Sequence, residues 1–330
     1  MKKLVIVEPK KCEIIEAPKP EINDDQILVK IKYYGVCMSE HYAWEVAEKS
    51  NGIDEGLGHE PMGIVEAVGK NITKVKPGDR VTGLFGQGIA EYNVATEDRI
   101  FKIPDNVEDE YAIGEPLSCA LSAVSKCRNI FPGETSIGVV GCGYMGCAII
   151  SLLKLRGAGK IIAVDVNEES RKNALKYGAD EVYSPETVPA EYLAPRENPQ
   201  EGGLDLVYEW AETNESIDLA IRMTKMCGQL CVGAYHTGEK RLVDLQLCGV
   251  KAIDVLNTHP REFHLSQKGC QNALDMLSSG KWCYQNFPVK IFPMNKFDDA
   301  HQEIQAKYGK YMKSLIDCTI FDGEPYIYTK

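Results

Sequence analysis

The stretch that most constrains this chain runs from Ser136 to Asp165. Ile137-Gly138-Val139-Val140 is an apolar run of strand length, and Gly141-Cys142-Gly143-Tyr144-Met145-Gly146 follows it at once. An apolar segment of helical character, Cys147 to Leu155, is stopped by Gly157 and Gly159. A second strand-like run, Ile161-Ile162-Ala163-Val164, then ends on Asp165. Strand, glycine turn, helix, strand and acid in that order is an arrangement that holds a dinucleotide. The first glycine permits the turn, the second lets a pyrophosphate approach the backbone, and the third lets the helix pack closely on the strand. The helix N-terminus offers free N–H groups and a partial positive charge to the phosphates. Gly141, Gly143, Tyr144, Met145 and Gly146 are therefore the candidate cofactor contacts.

Asp165 stands where a carboxylate can accept both hydroxyls of the adenosine ribose and would repel a 2′-phosphate, so NAD is favoured over NADP. Its other reading is a helix N-cap ahead of Asn167-Glu168-Glu169, and one carboxylate can serve both purposes. Arg171, the basic residue nearby, either contacts the adenine or sits on an exposed helix face.

A length of 330 residues suits two domains. The net charge of −11 argues against a nucleic-acid binder or a partner of anionic membranes. No apolar run reaches the roughly eighteen residues of a membrane span, and the N-terminal apolar stretch, Leu4 to Val7, is too short for a signal peptide. The twelve cysteines, several inside apolar segments, read as reduced thiols of a cytoplasmic protein, and no C-x-x-C pair suggests a structural zinc.

Residues up to about Val94 read as short strands between turns such as Asn23-Asp24-Asp25 and Lys76-Pro77-Gly78-Asp79, a β-rich, barrel-type region. Helical spacing begins near Glu110, with Leu117, Leu121 and Val124. From Ser136 strands and helices alternate. Glu181–Tyr183, Leu204–Tyr208 and Gln229–Val232 read as strands, Ser216–Lys225 as a helix, and the whole as a doubly wound α/β sheet. Ser184–Gly203, with four prolines, reads as a surface excursion around one short helix. Helices are expected at Ser266–Ser278 and Phe297–Lys307, and a closing strand at Ser314–Phe321.

Outside the glycine loop, the strongest chemical signal is Cys37 with the pair His59-Glu60, which are zinc-ligand types beside glycines at strand ends. Each alone has a bland reading, Cys37 as a core residue and His59-Glu60 as surface. Together with the dinucleotide loop they resemble the zinc-dependent medium-chain dehydrogenase/reductases, the alcohol and sorbitol dehydrogenase family. The matching pieces are Gly35-Val36-Cys37-Met38-Ser39-Glu40, Gly58-His59-Glu60-Pro61-Met62-Gly63, Pro77-Gly78-Asp79-Arg80-Val81, Glu115-Pro116-Leu117-Ser118, the glycine loop and Tyr177-Gly178-Ala179-Asp180.

The resemblance implies a GroES-like β-rich catalytic domain (1–118), an inserted Rossmann domain with a doubly wound parallel sheet (119–262), and a C-terminal return to the catalytic part (263–330). It implies one catalytic zinc per chain, held by Cys37, His59, Glu60 and Glu115, with Glu60 either a steady ligand or one that steps in and out. Glu40 would orient the His59 ring and Ser39 would take the alcohol proton. The relay position that often holds a histidine is Tyr42 here, with His41 beside it. The lobe that holds a structural zinc in many relatives has no counterpart, since only Thr82–Gly88 stands in its place.

The implied reaction is hydride transfer between NAD(H) and a secondary alcohol or ketone, zinc acting as Lewis acid. Glu115, at a position where many relatives that oxidise simple alcohols carry a cysteine, favours a polyhydroxylated substrate: a polyol, sugar or cyclitol. Polar residues near the expected cleft, with His259 and Arg261 from the unusual stretch Asp244–Arg261, suit the same class. That stretch also reads as an interface or surface loop. A homodimer or homotetramer is expected. The competing readings are a dehydrogenase of simple alcohols, a zinc-free reductase of the same fold, and a non-catalytic NAD-binding module.

Overall fold

A computed structural model describes residues 1–46, 57–86, 88–128, 130–306 and 310–330. The chain forms two compact units, Met1–Ser118 with Glu262–Lys330, and Cys119–Arg261.

The first unit opens with β1 (Lys2–Glu8), β2 (Lys11–Glu16) and β3 (Gln26–Gly35), followed by α1 (His41–Val46). Four strands come next: β4 (Pro61–Val68), β5 (Arg80–Gly83), β6 (Tyr92–Thr96) and β7 (Ile100–Lys102). A single turn at Asp109–Tyr111 precedes α2 (Gly114–Lys126), so the helix expected near Glu110 starts later, at Gly114.

β3 organises this unit. Its ten residues are mostly buried, and they pair with β4 along one edge. Along the other edge Gln26–Lys30 pair with β6, and Tyr33–Gly35 pair with a strand from the C-terminal segment. Ile27, Val29 and Ile31 form a core with Val65, Val81, Phe292 and Ile316.

The second unit alternates strand and helix: β8 (Ser136–Val140), α3 (Tyr144–Leu155), β9 (Lys160–Val164), α4 (Glu168–Lys176), β10 (Glu181–Tyr183), β11 (Leu204–Glu209), α5 (Asn214–Met223), β12 (Thr224–Val232), α6 (Leu245–Lys251) and β13 (Asp254–Asn257). All six strands run parallel in the order β10-β9-β8-β11-β12-β13. The order reverses between β8 and β11, the switch point at which such sheets bind ligands. Apolar runs that are buried on both faces form the strands, and Val140, Ile162, Val164, Val207 and Leu230 pack with Ile217 and Ile221 of α5.

The C-terminal segment supplies α7 (Phe263–Ser278), β14 (Val289–Pro293), α8 (Phe297–Ala306), β15 (Lys313–Asp317) and β16 (Tyr326–Tyr328). β14, β15 and β16 join the sheet of the first unit, with β15 antiparallel to β3. Lys307, expected to close the last helix, lies outside the described residues.

Three further expectations need correction, and one strand was not foreseen. The closing strand ends at Asp317, not Phe321, because the Asp317 carboxylate accepts bonds from Thr319 N at 2.8 Å and Thr319 Oγ1 at 2.6 Å and turns the chain. β16, which was not expected, then pairs with β14. Ser184–Gly203 holds two single turns, Pro185–Thr187 and Ala190–Tyr192, where one short helix was expected, since its prolines interrupt helical bonding. Asp244–Arg261 is more than a loop: it contains α6, capped by Asp244, and the sixth strand of the parallel sheet.

Candidate metal centre and glycine loop

In the second unit, the carboxyl ends of β8 and β9 build the loop. Gly141 has φ +94°, and a Cβ on it would stand 2.7 Å from the Trp210 backbone. A Cβ on Gly146 would run into the Gly141 carbonyl, whereas one on Gly143 would meet nothing within 4 Å, which leaves that side of the loop open. Asp165 Oδ2 accepts from Cys142 N at 2.7 Å and Oδ1 from Asn167 N at 2.8 Å, so the acid ties the glycine loop to the start of α4. Asp165 is not the cap of α4. Asn167 is, its side chain accepting from Ser170 N at 3.1 Å. Arg171 Nη1 donates to the carbonyls of Asp165 (2.7 Å) and Val166 (3.1 Å), which holds the guanidinium at the end of β9.

Sequence reasoning missed Glu209, the residue that ends β11 as Asp165 follows β9. Glu209 is fully buried, and its Oε1 accepts from Ala211 N (2.8 Å), Glu212 N (2.9 Å) and Ser216 Oγ (2.7 Å). His236 Nε2 lies 2.8 Å from its Oε2. Burial works to raise this carboxyl, but the bonds from His236 and Ser216 outweigh it and hold Glu209 below its ordinary range. An acid closing an apolar strand run was the available signal.

In the first unit, pairing of β3 with β4 sets Tyr34 opposite Pro61, and Gly35 N donates to Glu60 O at 2.9 Å. That register brings Cys37, just past the end of β3, to His59 and Glu60, just ahead of β4. The ligand atoms of Cys37, His59 and Glu60 all lie within 4.8 Å of one another. A Cβ on Gly35 would run into the Glu60 carboxylate, so a larger residue at the end of β3 would displace that side chain.

Glu40, buried in the single turn Met38–Glu40, accepts from Gly58 N at 2.8 Å and lies 2.6 Å from His59 Nδ1. This leaves the other ring nitrogen for a further partner. Ser39 Oγ lies 3.2 Å from Cys37 Sγ. Tyr42 is 46% exposed, whereas His41 is buried, 5.1 Å from the Trp44 ring and 5.6 Å from the His301 ring. Glu115, in the first turn of α2, is not part of the three-residue cluster, and its charge acts on Cys270 and Lys313.

Burial and the neighbouring acids shape the electrostatics of the cluster. Burial first, then the charge of Glu60, pushes the Cys37 thiol up. Burial works to lower His59, but the Glu40 charge and the bonds to Cys37 and Glu40 raise it above its usual value. A divalent ion reverses both tendencies, favouring thiolate and neutral imidazole. Zinc–donor bonds of about 2.0–2.3 Å place tetrahedral donors roughly 3.3–3.8 Å apart, so donors within 4.8 Å of one another would need to draw in only slightly around an ion. Thiolate, imidazole and carboxylate are zinc's own donor types, so the residues fit that metal.

Among the described residues no helix is long and apolar enough to cross a membrane. The family description "Alcohol dehydrogenase GroES-like domain" matches residues 23–105, and "Zinc-binding dehydrogenase" matches residues 145–279. The chain is similar to D-xylulose reductase A of Aspergillus oryzae, at 27% identity over 93% of this chain and 93% of that protein. In fold it resembles L-idonate 5-dehydrogenase of Escherichia coli, with a TM-score of 0.79, 18% identity, and 96% and 97% of the two chains covered. It also resembles a zinc-binding dehydrogenase of Sinorhizobium meliloti solved with NADP, with a TM-score of 0.78, 21% identity, and 96% and 98% covered. On both halves of its sequence, the chain belongs to the zinc-binding dehydrogenases with an alcohol dehydrogenase GroES-like domain, the medium-chain oxidoreductase family its motifs resemble.

Proposed function

We propose that this protein oxidises a secondary hydroxyl of a polyol, sugar or cyclitol with NAD, using one zinc per chain, and reduces the ketone in the reverse direction. The observation that carries the reading is the convergence of Cys37, His59 and Glu60 in a chain that also holds an open glycine loop. Glu115, outside that cluster but close enough for its charge to act on Lys313, would join the donors from the start of α2. Zinc bound there supplies Lewis acidity toward the substrate hydroxyl, and nicotinamide supplies the hydride acceptor. Glu40 holds His59 in one tautomer and orientation. Ser39 takes the hydroxyl proton, and Tyr42, exposed at the relay position, is its route to water.

Asp165 favours NAD, since a 2′-phosphate would approach a carboxylate already anchored by two N–H groups. Relatives named for D-xylulose and L-idonate favour a substrate with several hydroxyls. A plain aliphatic alcohol would leave polar groups of such a site unpaired, at about 1–3 kcal/mol each.

The cysteines, none of them in a disulfide among the described residues, suit a reducing compartment such as the cytoplasm. A second copy is the partner that suits β13, the last strand of its sheet, whose Val255 is 51% exposed, as are Leu242 (78%) and Leu245 (74%) in the segment before it.

The test is metal analysis joined to a substrate panel. Purified protein should carry close to one zinc per chain, and Cys37→Ser should lose zinc and turnover while keeping its NAD affinity. Sorbitol-like or inositol-like substrates should outrank short aliphatic alcohols in kcat/KM. Two zincs per chain would refute the metal assignment, and a clear aliphatic preference would refute the substrate class.

A further inference from the structure

Lys313 was not singled out by its sequence context, yet it lies against the donor cluster. It opens β15, is 7% exposed at its side chain, and sets Nζ 2.5 Å from Oε2 of the 1%-exposed Glu60. The same Nζ donates to the Val36 carbonyl at 3.1 Å, one residue before Cys37. Strand pairing places it there. β15 runs antiparallel to β3 with Leu315 opposite Gly35, and Val36 N donates to Ser314 O at 3.0 Å, so the register continues to Lys313 opposite Cys37. Gly35 makes the room, because a Cβ there would stand 2.9 Å from Lys313 Cε.

A lysine ammonium is rarely buried to this degree without a specific counter-charge. Here it has one that the proposed metal also needs. Cys37 as thiolate and Glu60 would balance a divalent ion, Glu115 adds a third negative charge that acts on Lys313, and the lysine offsets this excess. We infer that Lys313 is a positioning residue that divides Glu60 between itself and the metal, occupying one carboxylate oxygen so that Glu60 cannot bind the ion with both. A coordination position thereby stays open for the substrate hydroxyl. This inference rests on the zinc reading of the site.

The experiment uses zinc-loaded and cobalt-substituted protein, unmutated and as Lys313→Met, Glu60→Gln and the double variant. With the ammonium removed, Glu60 is released to the metal. Zinc loss to a chelator should slow by about tenfold or more, the scale on which groups around ligands tune metal affinity. The visible bands of the cobalt form should weaken as its coordination number rises, a signature that a merely structural role would not move. In the Glu60→Gln background the Lys313→Met change should lose both effects, because an amide needs no counter-charge. Lys313→Gln, which keeps a polar group at the site, provides the same comparison if the methionine variant does not fold.

Unchanged zinc loss and an unchanged cobalt spectrum in Lys313→Met would overturn the inference. So would faster zinc loss, or the same shift with and without Glu60. If the unmutated protein binds neither zinc nor cobalt, the failure belongs to the reading of the site and is visible before any variant is compared.

Discussion

His301 offers a sharp test of how this fold responds to acid. It is fully buried in α8, with its ring 5.3 Å from that of Trp44, 4.6 Å from Phe297 and 5.6 Å from His41. Among the described residues neither ring nitrogen has a hydrogen-bond partner. Burial, and secondarily the charge of His41, pushes His301 down from 6.5 to about 3. The sign follows directly. Between those values protons bind the unfolded chain and not the folded one, so stability present above pH 6.5 is lost as pH falls toward 3.

Each pH unit in that window costs about 1.4 kcal/mol, so the share of His301 between pH 7 and pH 5 is about 2 kcal/mol. His301→Leu, close in volume, should remove that share. Lost ring stacking shifts the variant equally at both pH values and drops out of the comparison. The assay is urea unfolding of both zinc-loaded proteins at pH 7 and pH 5. Acid also titrates the metal ligands, but it does so in both proteins. The unmutated protein should lose about 2 kcal/mol more than the variant. Equal losses would show that His301 is not held neutral by its surroundings.

Two further outcomes test the sites. Glu40→Gln replaces the carboxylate 2.6 Å from His59 Nδ1. It should weaken zinc binding by about 10–100-fold in chelator competition, and unchanged affinity would remove Glu40 from the account. Asp165→Ala should narrow the preference for NAD over NADP by raising the KM for NAD, and equal use of both cofactors by the unmutated protein would refute the assignment.

The glycine loop and its flanking strands were legible because each signal is local. Val140 ends a strand, Gly141 has the positive φ the turn needs, and Tyr144 opens the helix within a few residues. Cys37 and His59-Glu60 were legible as ligand types, since the chemistry of these side chains is written in their identity, whereas Glu40 as the partner of His59 came from the resemblance alone. Whether Glu115 joins them was implied by resemblance only, and it stands outside the three-residue cluster. The end of the chain was misjudged at Asp317, where a side-chain turn outweighs the apolar run that continues past it.

What only tertiary structure decided are the pairings between distant segments. Asp254–Asn257 becomes a strand because β12 offers it an edge, although its own pattern states little. Glu209 and His236 meet because two neighbouring parallel strands end side by side. Lys313 is an ordinary surface residue by composition, and it becomes the buried counter-charge of Glu60 because β15 pairs with β3. Local propensity and motif spacing act over a few residues. A buried charge is settled by which remote backbone supplies its neighbour, and that is a property of the sheet, not of the segment.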